Sequence, residues 1–108
     1  MYYIVEIHHG DNNDNNIRSC IVEANSTEEV FSILKPSMIG WLGCSDTKIE
    51  EDGDTDSLYL KQMLTGQTLY GEPYVLHCDA TIEGVFTSEE DAQKRRSSLH
   101  GEWVYEDF

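Results

Sequence analysis

Basic residues are scarce in this chain. Seven lysines and arginines stand against 21 aspartates and glutamates in 108 residues, a formal net charge of −14. That balance excludes a dedicated nucleic-acid binder, whose phosphate contacts need a cationic face. It equally opposes adsorption to anionic membrane and favours basic protein surfaces. Long apolar runs are also missing, and no stretch approaches the ~20 residues that cross a bilayer. The first ten residues, MYYIVEIHHG, have neither the basic start nor the apolar core of a secretion signal, so a cytoplasmic location is expected. The three cysteines, Cys20, Cys44 and Cys78, are odd in number and without paired spacing. They exclude a secreted disulfide framework and point to reduced thiols. Disorder is opposed by what is present: two Trp, six Tyr and three Phe, set in apolar periodicity.

The chain is long enough for one compact domain spanning 1–108. Residues 2–7, YYIVEI, are aromatic and β-branched, as a strand requires. A turn-forming HHGDNNDNN (8–16) follows, and IRSCIVEA (17–24) returns as a second strand. Ser26 with Glu29 three residues on forms a capping box, predicting a helix that carries Val30, Phe31, Ile33 and Leu34 and stops before Pro36. DTKIEE (46–51) is a short strand candidate. In the connection 52–72, Tyr59 and Met63, and Leu60 and Leu64, stand four apart, predicting a short amphipathic helix. Residues 72–79 and 81–86 read as strands joined by a tight turn near Asp79 and Ala80. Ser88 caps a helix to about Leu99, Gly101 ends it, and EWVYEDF (102–108) closes as a strand. The expected fold is α+β: two β-β-α-β units, about 1–51 and 73–108, with a mainly antiparallel sheet and helices packed on one side.

Candidate chemistries can be weighed against plainer readings. Asp52, Asp54 and Asp56 match positions 1, 3 and 5 of an EF-hand loop, but Ser57 replaces its glycine and Met63 its bidentate glutamate. A solvated acidic loop or contact patch is the better reading. His8, His9, His77, Cys78 and His100 show no zinc-ligand spacing, and His77 and Cys78 point to opposite faces of a strand. No nucleophile elbow, P-loop or dinucleotide fingerprint is present, so no catalytic residue, metal or cofactor is expected. Lys94, Arg95 and Arg96 are consecutive on the last helix and cannot form one tight patch. Trp41 and Tyr70 fall in segments that read as loops, where an aromatic seals the core or anchors an interface.

The segment YVLHCDATIEGVFTSEEDAQKRRSSL (74–99) resembles a pattern of small phage and bacterial α+β proteins, in which strand and turn lead to a helix entry like GVF-S-EEA. The whole set of features, short, Asn-rich, very acidic and without catalytic motifs, resembles phage-encoded anti-defence proteins, including anti-CRISPR inhibitors. That resemblance implies carboxylates that imitate nucleic-acid charge, a partner such as a nuclease or CRISPR effector complex, and residence in the host cytosol. Asp11 and Asp14 at the first hairpin tip, with Glu50, Glu51, Asp52, Asp54 and Asp56 in the central loop, are the candidate contacts. The alternative is a regulatory or assembly module that binds through Trp41, Tyr59 and Tyr70, its acidity serving solubility. Either would act as a monomer or homodimer.

Overall fold

In a computed structural model that describes residues 1–12, 14–42, 49–69, 71–99 and 106–107, the chain is α+β. Its elements are β1 (Tyr2–Asp11), β2 (Asn15–Glu23), α1 (Thr27–Leu42), β3 (Ile49–Asp54), β4 (Ser57–Leu69), β5 (Glu72–Phe86), α2 (Glu89–Leu99) and β6 (Glu106–Asp107). The strands form one sheet in the order β3-β4-β5-β1-β2-β6. The first five are antiparallel to their neighbours, and β6 pairs parallel to β2 at Arg18 and Ser19.

Alternation along the strands sorts the side chains. Tyr3, Val5 and Ile7 of β1, Leu58 and Leu60 of β4, and Cys78 and Ala80 of β5 form one core with Val30, Leu34, Met38 and Leu42 of α1. Tyr2, Ser19 and Ile21 lie on the reverse face, where they meet Glu89, Gln93 and Arg96 of α2. The helices therefore pack on opposite faces, not on one. The burial of three consecutive residues, Tyr3, Ile4 and Val5, shows that both faces are covered there. On the α2 face the helix offers little apolar surface: Ala92 is its one buried residue, while Arg96 donates to the Ser19 hydroxyl (3.0 Å) and carbonyl (3.1 Å).

Three further expectations are corrected. Helix α1 runs through Pro36 to Leu42. Proline costs ~3 kcal/mol inside a helix, but continuing the stripe Val30, Leu34, Met38, Leu42 buries two large side chains at ~1.5–3 kcal/mol each. Residues 57–66 form part of β4, not a helix. Leu58, Leu60, Gln62 and Leu64 are buried, while Tyr59 and Met63 are exposed, a period of two. Residues 72–86 form one strand without a turn at Asp79 and Ala80, because β1 and β4 pair with it across that point. With 72–86 a single strand, the expected second unit is β-α-β and not β-β-α-β, so the two-unit description does not carry over; β4 replaces the helix expected in the connection. Of the expected closing strand, Glu106–Asp107 is the described part; its remainder lies outside the described residues.

Both predicted helix entries are present. The Ser26 hydroxyl accepts from the Glu29 amide (3.2 Å) while Glu29 reaches back to the Asn25 amide (3.2 Å). The Ser88 hydroxyl accepts from the Asp91 amide (3.1 Å).

Candidate partner-binding surface

Two hairpins carry the candidate carboxylates, and both begin on a Gly-Asp pair. A Cβ on Gly10 would collide with the backbone carbonyl of Asp14, and one on Gly53 with that of Ser57, so each turn needs glycine for close approach. The following aspartate then caps the turn. Asp11 accepts from the Asp14 amide (2.8 Å), and Asp54 accepts from the Asp56 amide (3.0 Å) and the Ser57 hydroxyl (2.8 Å). The Ser57 and Asp56 hydrogen bonds hold the Asp54 carboxyl below its ordinary range.

The hairpins differ in what surrounds them. At the β1–β2 tip, Tyr74 donates to the second Asp11 oxygen (3.0 Å) and Asn12 donates to the Pro73 carbonyl (3.1 Å), tying the tip to β5. The bond to the carboxylate, chiefly, pushes the Tyr74 phenol above its ordinary value. At the other hairpin, β3 is the edge of the sheet and pairs with β4 through all six of its residues. Glu50, Glu51, Asp52, Asp54 and Asp56 are all exposed, five acids within the seven residues 50–56. Lys35 of α1 pairs with Glu51 (2.6 Å), a half-exposed contact of modest energetic weight. The Asp56 carbonyl accepts from the Ile82 amide (2.8 Å), anchoring the turn to β5.

Between α1 and this hairpin runs a groove of about 520 Å³. Glu28, Lys35, Glu51, Asp52 and Asp54 line it, with Phe31 and Leu58 as its apolar part. Glu28 joins the site only through the fold; its sequence signal was confined to the acidic first turn of α1. Asp11 and Asp14 do not join it. Strands β3 and β1 are separated by β4 and β5, about 14 Å in the pairing direction.

The candidate aromatics also separate. Trp41 lies in the last turn of α1 rather than in a loop, 46% exposed, its ring 4.1 Å from that of His9 and 5.1 Å from the Arg18 guanidinium. Arg18 donates to the His9 ring (2.8 Å), so the three form one cluster at the C-terminal end of α1. Tyr59, 42% exposed, is on β4 opposite Asp52 and Asp79, on the face away from α1. Tyr70 lies outside the described residues.

That face holds a group of ionisable residues that linear reading missed. Glu6 bonds His8 (2.6 Å), His8 bonds Asn15 (3.2 Å), and His77 bonds Asp79 (3.2 Å). A register shift against β1 inserts Glu83 as the extra residue of a β-bulge, where it hydrogen-bonds Glu6. Burial first, then the Glu6 charge and that bond, raise the Glu83 carboxyl above its ordinary value; Arg95 and His8 act against the rise. No three His, Cys, Asp or Glu among the described residues converge on a metal position. Cys78 is buried in the core, and burial with the nearby Asp79 charge pushes its thiol up to about 12, which opposes a thiolate nucleophile. No helix among the described residues is long and apolar enough to cross a membrane. No family model, curated protein or solved structure matches the chain.

Proposed function

We propose that this chain is a non-catalytic binding protein that occupies a basic, nucleic-acid-binding surface of another protein, as an inhibitor of the anti-CRISPR kind. The observation that carries the reading is the β3 edge and its turn: five exposed carboxylates in residues 50–56, of which Glu51 pairs with Lys35 of α1. Successive residues of a strand advance ~3.3 Å, and one DNA strand presents a phosphate charge per ~3.4 Å of axis. The acids Glu50, Glu51 and Asp52 thus advance along the strand at a phosphate-like spacing, with Glu50 and Asp52 on one face and Glu51 on the other. The β4 and β5 ladders hold them in fixed order, so a binding partner need not pay to order a loop. Asp11 and Asp14 are secondary in this reading, because Asp11 serves its own turn and Tyr74.

Purified CRISPR effector complexes and nucleases, each preloaded with labelled nucleic acid, provide the test. Stoichiometric displacement of the nucleic acid by the protein is the expected outcome. Binding to an effector without displacement, or no binding across such a panel, would overturn the inhibitor reading.

The exposure of Trp41 and Tyr59 favours a second reading, a regulatory or assembly module that binds through aromatics. Their positions on opposite faces mean one partner surface would engage only one of them. Affinity through either would depend weakly on salt, whereas the carboxylate reading requires a steep dependence.

A further inference from the structure

The carboxylates of β3 sit on the edge strand of the described sheet. Among the described strands β3 pairs with β4 alone, with no described strand on its other side. Six residues of strand offer about 20 Å of main-chain donors and acceptors. Glu50 and Asp52 project to the face away from α1, opposite Lys61 and Tyr59 of β4, and Glu51 projects to the α1 face, opposite Leu60. On that α1 face the groove of about 520 Å³ lies beside the strand, with Phe31 and Glu28 across from it.

We infer that β3 is a strand-addition edge that receives an extended, lysine- or arginine-rich segment of the partner protein. This rests on the proposed function and specifies how the partner engages the same surface. Main-chain hydrogen bonds supply affinity in this mode, and alternate side chains supply specificity. Basic side chains of the added strand meet Glu50 and Asp52 on the face away from α1, while on the α1 face Glu51 is already paired with Lys35. On the α1 side the groove is lined by Lys35 as well as Glu28, so the alternate side chain that enters it is apolar and lies along Phe31 and Leu58.

The same charges reject the competing occupants. A second copy would set its own Glu50, Glu51 and Asp52 against these, on a chain of net charge −14. A neutral strand would cover carboxylates without pairing them, which is costly. Charged side chains commonly guard edge strands against self-pairing; here the negative charge leaves a basic strand as the admissible one.

The probe is an alternating lysine–valine octapeptide, compared with the same peptide N-methylated on alternate residues along one edge. Methylation leaves the charge and removes donors from that edge. Affinity is measured by calorimetry and amide hydrogen exchange is followed over 49–54, on the wild type and on the Glu50→Gln, Glu51→Gln, Asp52→Asn triple variant. The expected result is exchange protection over 49–54 and binding weakened about tenfold or more by methylation on one edge of the peptide but not on the other. Equal binding of all peptides, without protection, overturns strand addition; if the triple variant then still loses binding, the charge reading survives alone. Sensitivity to methylation with no effect of the triple variant sustains strand addition and overturns the charge reading. No binding by any peptide, or a dimer of the protein formed through 49–54, also overturns the inference.

Discussion

The two acidic hairpins are built from the same residues and end up with different properties. Gly10-Asp11 and Gly53-Asp54 each open a turn, and each aspartate caps it. The first hairpin stands in the middle of the sheet: β1 is paired on both sides, and Tyr74 and Pro73 hold its tip. The second stands at the rim, with one flank of β3 paired and every residue from Glu50 to Asp56 exposed. Asp11 at the central hairpin is taken up by its own turn and by Tyr74 of the neighbouring strand, whereas at the rim no described strand lies beyond Glu50 or Asp52 and the whole run 50–56 is exposed.

The comparison depends first on β4, which holds β3 at the rim. Leu60→Ala, at 1% exposure, is expected to destabilise by about 2–5 kcal/mol, while Met63→Ala, at 47%, stays within about 0.5 kcal/mol. Urea unfolding reads both, and equal losses would mean that residues 57–64 are not a strand with one buried face. The two glycines come next. Alanine at Gly10 forces its collision into a doubly paired strand, at about 2–3 kcal/mol, whereas alanine at Gly53 is relieved by movement of the edge, at about 1 kcal/mol. A reversed order would remove the distinction between a fixed and a yielding hairpin.

A pH effect belongs to the ground between the hairpins, at the bulge. Glu83 has a raised carboxyl in the fold, so the folded state binds more protons than the unfolded one above the unfolded value of about 4.3. Its contribution is fully present below that pH and is lost as pH rises through the folded value. Measured from pH 4 upward, the wild type should lose stability relative to Glu83→Gln; a constant difference between the two would refute the Glu6–Glu83 contact. The smallest effect is at Tyr74. Tyr74→Phe removes the donor to Asp11, and amide exchange at Asn12 and Asp14 should quicken while that of β3 is unchanged.

Much of this was legible in the sequence, for reasons that can be located. Strands β1 and β2 and both helix entries announce themselves through β-branched runs and capping serines, which act within a few residues. Strand β4 is hidden in the sequence because Leu60 and Leu64 fit periods of two and four alike, and buried Gln62 disguises the alternation. Pro36 misled because its cost is local while the return, burial of Met38 and Leu42 under the sheet, is not. Asp79 resembled a turn residue, yet it sits on the polar face of β5 between buried Cys78 and Ala80. For the site, the cluster 50–56 was visible as charge, but its place on an edge strand was not. Glu28 and the Glu6–Glu83 contact needed tertiary structure, since a bulge and a helix–hairpin groove leave no linear pattern.

The most direct measurement is the affinity of a displaced effector for three proteins across a salt series: wild type, the Glu50→Gln, Glu51→Gln, Asp52→Asn triple, and an Asp11→Asn, Asp14→Asn double. The edge account predicts that the triple loses about tenfold or more and flattens the salt slope, while the double stays within about twofold of wild type. Loss in the double with the triple unchanged, or no loss in either, would contradict it.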